Sequence, residues 1–358
     1  MAGSRRYKMR RADVTFRFVT PALLAGADQK SAEIRAASIR GALRWWMNAL
    51  NFDKEVINDL FGSAAGNRGQ RSRVIVRDTT PATPPVKLQT AKDITGNRSD
   101  YFLWPLGKTE DARGVIPAGF TVSFSVIMRP GKSSEDSPVL ENVLKAFLLL
   151  GSLGSRSRRC YGSIWPKHVE IDGVPWKIPA TEDELKRELS CIFDECANME
   201  IDAISGKFLD YKTAINCCID FLKKYRAGST KSGEDPSEWG KNDHDAGLQK
   251  HGCVCRPVLG LPLVQNYSKV PPVSSSITGY NRLASPVHFK VIPLKDGFVP
   301  IVFFCYNMIP PDGTEVLLTP KGRRPFRLPL QGFELVEAMR FDEKLSTLGD
   351  FLSLAEEE

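Results

Sequence analysis

The chain has 358 residues, a length at which roughly 100–200 residues per domain gives two domains, each able to bury its own core. Hydrophobic residues at 42%, charged residues at 25% and a net charge of +7 are globular values that exclude a disordered, collagen-like or coiled-coil chain. No apolar run reaches the ~20 residues of a membrane-spanning helix, and the basic amino terminus enters Val14–Val19 without an apolar signal-type segment, so neither a membrane nor a secretory route is expected and the expectation is a cytoplasmic protein.

The first element is a strand at Val14–Val19, in which Val14, Phe16 and Phe18 alternate with Thr15 and Arg17 before Thr20-Pro21 ends it. Ser38 reads as the N-cap of a helix Ile39–Leu50, with Ile39, Leu43, Trp46 and Leu50 on one face and Arg40 in the first turn. Glu55–Phe61 extends it after a break, and strands follow at Arg73–Arg77 and Phe120–Met128, separated by a Pro/Thr-rich loop and a segment Asp100–Leu106. Pro138–Leu150 is a second amphipathic helix with Gly151 as a stop, and a strand follows at Ser163–Ile171. Strand, helix, strand, strand, helix, strand is the βαββαβ order of a ferredoxin-like, RRM-like unit. The second half opens with helices Thr181–Cys196 and Tyr211–Tyr225, passes through a Gly/Ser/Lys/Asp-rich stretch at 227–252 expected to be mobile, and ends β-rich, including Pro286–Leu294 and Val299–Asn307, with a helix after Gln331.

Charge is unevenly divided. Residues 1–180 hold 28 Lys and Arg against 16 Asp and Glu, whereas residues 181–358 hold 21 against 26. A one-sided, arginine-rich surplus fits a polyanion-binding face, because neutralised phosphates release counterions and the guanidinium fork pairs with phosphate; the competing reading is an ordinary solvated surface.

The segment 151–163 concentrates this signal, with Gly151, Gly154 and Gly162, four serines including Ser155 and Ser157, and Arg156, Arg158 and Arg159, without one acidic residue. Glycines allow close backbone approach, and N–H groups, hydroxyls and guanidinium groups donate to phosphate, so the segment reads as a phosphate-backbone cradle. It lacks the closing Lys-Ser/Thr of a nucleotide-binding P-loop and the G-x-G-x-x-G spacing of a dinucleotide site. Arg35, Arg40 and Arg44 belong to a second basic segment, where Arg40 and Arg44 share a helical face; the competing reading pairs them with Glu33 or Asp28. Trp45 and Trp46 read as core residues. Arg71 and Arg73, and the arm Arg5, Arg6, Lys8, Arg10 and Arg11, would extend the same surface, with a solvated charge run as the equal alternative for each.

The eight cysteines are dispersed without a disulfide framework, and no cofactor is expected. His244, His251, Cys253 and Cys255 supply four N/S groups, though in a spacing that fits no common zinc module.

Thr20-Pro21 through Gly26 and Asp28, Glu33-Ile-Arg35 with Ser38-Ile-Arg40-Gly-Ala-Leu-Arg44-Trp45-Trp46, Leu60–Ser63, and the glycine–arginine segment Leu150–Ser163 together resemble the RAMP superfamily of CRISPR proteins. Within it, the sequence most resembles the first-subunit family of the Cmr (type III-B) RNA-targeting effector complex, with Asn281-Arg282-Leu-Ala-Ser285-Pro286 similar to that family's second-domain motif. Cys160 departs from the pattern, standing where the family usually has glycine.

The resemblance implies an α+β chain of two ferredoxin-like domains. These are 1–180, basic, and 181–358, with a helical segment 181–226 and the flexible loop 227–252 inserted. It further implies a subunit that caps the complex near the 3′ part of the guide, binding guide (crRNA) or target single-stranded RNA beside other RAMP subunits, with Arg282 joining the RNA-binding set. Superfamily nucleases imply a rival role for Asp28 as a metal-dependent endoribonuclease residue; no histidine precedes His168, so the first half lacks a histidine proton shuttle. A protein-only scaffold is the third reading.

Overall fold

The structure is a computed structural model describing residues 9–24, 26, 31–64, 69–80, 94, 101–103, 114–130, 136–193, 199–204, 206–227, 237–261, 263–267, 270–277 and 282–346. The first sheet is wholly antiparallel, in the order β2-β3-β1-β4-β5, from β1 (Arg10–Phe18), β2 (Val74–Asp78), β3 (Thr121–Met128), β4 (Ile164–Ile171) and β5 (Val174–Pro175). Val14, Phe16 and Phe18 face the core as their alternation requires, and Phe16 meets Phe124 edge-on at 5.8 Å. The β1–β4 ladder bulges between Thr15 and Phe16, where Pro166 withholds a donor. Helices α1 (Ala36–Ala49) and α3 (Asp136–Leu150) pack on this sheet, and α2 (Lys54–Phe61) follows α1.

Helix α1 starts earlier than its capping signal suggests. Arg35, extended at φ −119°, is the N-cap and makes no side-chain cap bond, while Ser38 lies inside the helix. Arg40 is therefore the fifth helical residue, beyond the first turn whose free N–H groups attract anions.

Beyond α4 (Glu182–Phe193), the second half carries β6 (Met199–Ile204), α5 (Tyr211–Arg226), α6 (Glu238–Gln249), β7 (Leu263–Tyr267), β8 (Val270–Ile277), β9 (Val287–Leu294), β10 (Gly297–Cys305), β11 (Glu315–Pro320), β12 (Phe326–Pro329), α7 (Gly332–Arg340) and β13 (Leu345–Ser346). These strands make two four-stranded antiparallel sheets, β13-β6-β10-β9 and β12-β11-β8-β7. The stretch 227–252, expected as a flexible loop, contains α6. Its Ser237 cap accepts from the Gly240 N–H, and the buried Asp243 carboxylate accepts from the Cys255 and Arg256 N–H groups and from Arg256 Nε at 3.0 Å. That tertiary anchor outweighs the poor helix propensity of its Gly, Asn and Asp residues. No helix among the described residues is long and apolar enough to cross a membrane.

The two halves share one buried seam. Phe289 of β9 exchanges backbone hydrogen bonds with the glycine–arginine segment, accepting from Cys160 N–H at 3.0 Å and donating to Arg158 O at 3.2 Å. Its neighbour Lys290, fully buried, donates from Nζ to Gly151 O at 2.9 Å.

Candidate nucleic-acid interface

A cleft of about 1000 Å³ opens between α1, the residues following α2 and strand β2. Arg40 and Arg44 line one wall, Arg71 and Arg129 the others, and among the described residues no Asp or Glu lines it. Arg40 Nη2 donates to Phe61 O at 3.0 Å, while Arg44 reaches Gly62 O and, at 2.9 Å, Asn58 Oδ1. Both arginines thus satisfy acceptors at the carboxyl end of α2, where the helix dipole favours a cation, and among the described residues neither meets a carboxylate. Glu33 makes no ion pair with either, and Asp28 lies outside the described residues. Arg129, absent from the sequence reading, directly follows β3; only β2–β3 pairing, which joins Arg129 N–H to Arg73 O at 3.1 Å, brings it here.

Arg73 differs from its neighbour Arg71. It pairs with Asp59 and donates from Nε and Nη2 to Arg129 O, so it joins α2 to the end of β3. Arg71 and Arg35 are exposed. Of the amino-terminal arm, Arg10 pairs with Asp172 and Arg11 with Asp13, while Arg5, Arg6 and Lys8 lie outside the described residues. Arg282 is exposed; Asn281 beside it is outside them.

The glycine–arginine segment differs most from its expectation as an open cradle. Its N–H groups are already used within the protein: Ser155 donates to Leu23 O, Gly162 to Pro21 O, Cys160 to Phe289 O and Ser163 to Thr20 Oγ1. The glycines permit this self-packing. A Cβ on Gly154 would stand 2.6 Å from Leu23 O, and one on Gly151 2.2 Å from Phe147 O.

Arg159 turns inward with 7% exposure, donating from Nη1 to Val287 O at 2.8 Å and from Nη2 to Leu259 O at 3.2 Å. Burial lowers its pKa to about 9, its neighbours Arg226, Arg156 and Arg158 adding to the effect. Its guanidinium is therefore spent on a tie between the halves. Arg156 and Arg158 are half-buried and remain at the surface with Ser155 and Ser157. Cys160 is buried, so its side chain adds nothing to the outer face of the segment.

The zinc candidates do not assemble. Cys253 bonds to Gln331, Cys255 is buried, His244 pairs with Asp245 and His251 is exposed; among the described residues no three His, Cys, Asp or Glu side chains group to hold a metal. His168 is exposed on β4.

The chain is thus an antiparallel α+β protein with an arginine-lined cleft in its first half, and residues 15–165 of that half match the model of the RAMP superfamily. Its curated relatives include the CRISPR system Cmr subunit Cmr1-1 of Pyrococcus furiosus, 32% identical over 154 residues, which are 40% of this chain and 43% of the relative. Cmr1-2 of the same organism is 40% identical over 68 residues, 16% of this chain and 34% of that one. The alignments thus span less than half the length of these relatives. Among solved structures, Cmr1 from Pyrococcus furiosus in its apo form matches with TM-score 0.53 at 18% identity, covering 96% of both chains. A chain of the type III-B Cmr-beta complex bound to cognate target RNA matches with TM-score 0.50 at 12% identity, covering 96% of this chain and 100% of that one. At these identities the structural likeness is one of fold.

Proposed function

We propose that this chain is a non-catalytic, RNA-binding, Cmr1-like subunit of a cytoplasmic type III-B CRISPR ribonucleoprotein, capping it near the 3′ part of the guide and holding guide or target RNA beside other RAMP subunits. Two ferredoxin-like domains, 1–180 and 181–358, form its frame. In support of that division, both halves run β-α-β-β-α-β once insertions are set aside, and each main sheet places its fourth, first, third and second core strands side by side. The similarity to Cmr1 subunits supports the assembly, and the Cmr-beta neighbour is described as bound to cognate target RNA.

The observation that carries the reading is the cleft where Arg40, Arg44, Arg71 and Arg129 converge and which, among the described residues, no Asp or Glu lines. Such a surface tracks a sugar–phosphate backbone and reads shape rather than sequence. Arg40→Ala, Arg71→Ala and Arg129→Ala combined should weaken binding of a short single-stranded RNA at least tenfold. The slope of log affinity against log salt should fall by about 2, at about 0.7 per phosphate contact. If neither changes while assembly of the complex fails, the chain is a protein scaffold. Labelled RNA should stay intact in Mg²⁺ or Mn²⁺; cleavage abolished by Asp28→Ala would make it a nuclease.

A further inference from the structure

A second cleft lies across α1 from the first, at the seam between the halves. It holds about 250 Å³, below the roughly 300–1,000 Å³ of sites for drug-sized molecules. Its walls are aromatic and come from both halves. Trp45 and His288 lie 5.1 Å apart, their rings inclined by 32°, and Phe303 stands 4.7 Å from His288 and 5.8 Å from Trp46. Trp46, His288 and Phe303 are buried, whereas Trp45 and Arg158 are half-buried.

The polar groups point to the occupant. The Arg158 guanidinium stands 5.8 Å over the Trp45 ring and uses Nε toward His288 Nε2 at 3.2 Å; among the described residues its two terminal nitrogens have no hydrogen-bond partner. Burial and the charges of Arg158 and Arg159 hold the His288 pKa well below its usual 6.5, leaving an uncharged ring. Ser38, Ser152 and Ser157 also line the cleft, and among the described residues no carboxylate does. A phosphate alone would gain nothing from aromatic walls. A nucleobase uses both features: its face stacks on aromatic rings, and a free guanidinium fork matches the paired O6 and N7 acceptors of guanine.

We infer that this cleft receives one unstacked nucleobase of the bound strand, guanine in preference, lying against Trp45 with its O6/N7 edge toward Arg158. The inference rests on the reading of the first cleft as an RNA path and adds base recognition to it.

The test uses the full chain and three oligonucleotides of equal length: oligouridine, the same strand with one central guanosine, and the same strand with one central abasic residue. The guanosine strand should bind about tenfold more tightly than oligouridine, and the abasic strand most weakly. Arg158→Gln should abolish the guanosine preference without changing the salt slope. Trp45→Leu should weaken both base-bearing strands toward the abasic one, and Trp45→Phe should restore them. Equal, salt-dependent binding of all three strands would overturn the base site and leave the RNA path standing. No binding, or binding indifferent to salt, would remove the RNA path and the inference with it. Guanosine monophosphate binding as tightly as the guanosine strand would overturn the assignment to a strand, making the cleft a free-nucleotide site.

Discussion

Lys290 gives the seam a signature in pH. It is fully buried on β9, with Nζ held by Gly151 O at 2.9 Å, and burial pushes its pKa well below the usual 10.5. The carbonyl end of α3 favours a cation by ~0.3–2 kcal/mol, against several kcal/mol for burying an ammonium, so burial wins. Between the lowered folded value and 10.5, the unfolded chain therefore binds more protons than the folded one. Stability rises with pH across that window at about 1.4 kcal/mol per unit, and the contribution is level above and below it. Lys290→Met keeps the unbranched chain as far as Cε, forfeits a hydrogen bond worth about 1 kcal/mol and removes this titration. In urea unfolding from pH 7 to 10, the variant should compare best with the parent at the low end and lose ground as pH rises toward 10. Parallel pH profiles would refute the reasoning, because they would mean that Lys290 stays charged inside the fold.

Two further substitutions test the local accounts. Gly162 has φ +70°, and a Cβ there would lie 1.9 Å from Leu153 O, so Gly162→Ala should cost about 3 kcal/mol or more and lower the thermal midpoint by several degrees. Asp210 caps α5 by accepting from the Lys212 and Thr213 N–H groups, bonds that hold its pKa below the usual 3.8; Asp210→Ala should cost about 1 kcal/mol at neutral pH. That deficit should shrink as pH falls through the lowered pKa, since a carboxylate with a depressed folded value contributes only above it; a deficit unchanged at low pH would refute the charged cap.

Elements whose burial follows a short-range period were legible in the sequence. The alternation of Val14, Phe16 and Phe18 and the stripe of Ile39, Leu43 and Trp46 each placed an element within a few residues of its observed bounds. Groups whose partners lie far along the chain were not. Nothing near Arg159 announces that Leu259 and Val287 will offer their carbonyls, and nothing near Asp243 announces the N–H groups that anchor α6. The composition of the glycine–arginine segment is as compatible with gripping the chain's own Pro21–Leu23 segment as with gripping a phosphate. Strand β9 misleads in the same way: Val287-His288-Phe289-Lys290 alternates like a half-exposed strand, yet both faces are covered. Phe289 meets Phe221 of α5, while His288 and Lys290 face Trp45 and Gly151 of the other half.

Partner type, rather than number, decides what the arginine surplus of the first half can do. Arg10, Arg11 and Arg73 end on carboxylates, so their charge is cancelled at short range and adds little to the field outside. Arg40 and Arg44 end on neutral oxygens, which fix the direction of the fork while leaving its charge whole. The count of 28 basic against 16 acidic residues therefore overstates the unpaired positive charge, because these three arginines are already matched by carboxylates. Among the described residues, Arg40 and Arg44 thus offer the α1 wall of the cleft a positive charge already held by carbonyl and amide oxygens. Pre-ordering of this kind lowers the side-chain entropy lost when an anion docks, so each phosphate contact there should be worth more than one made by an unanchored surface lysine.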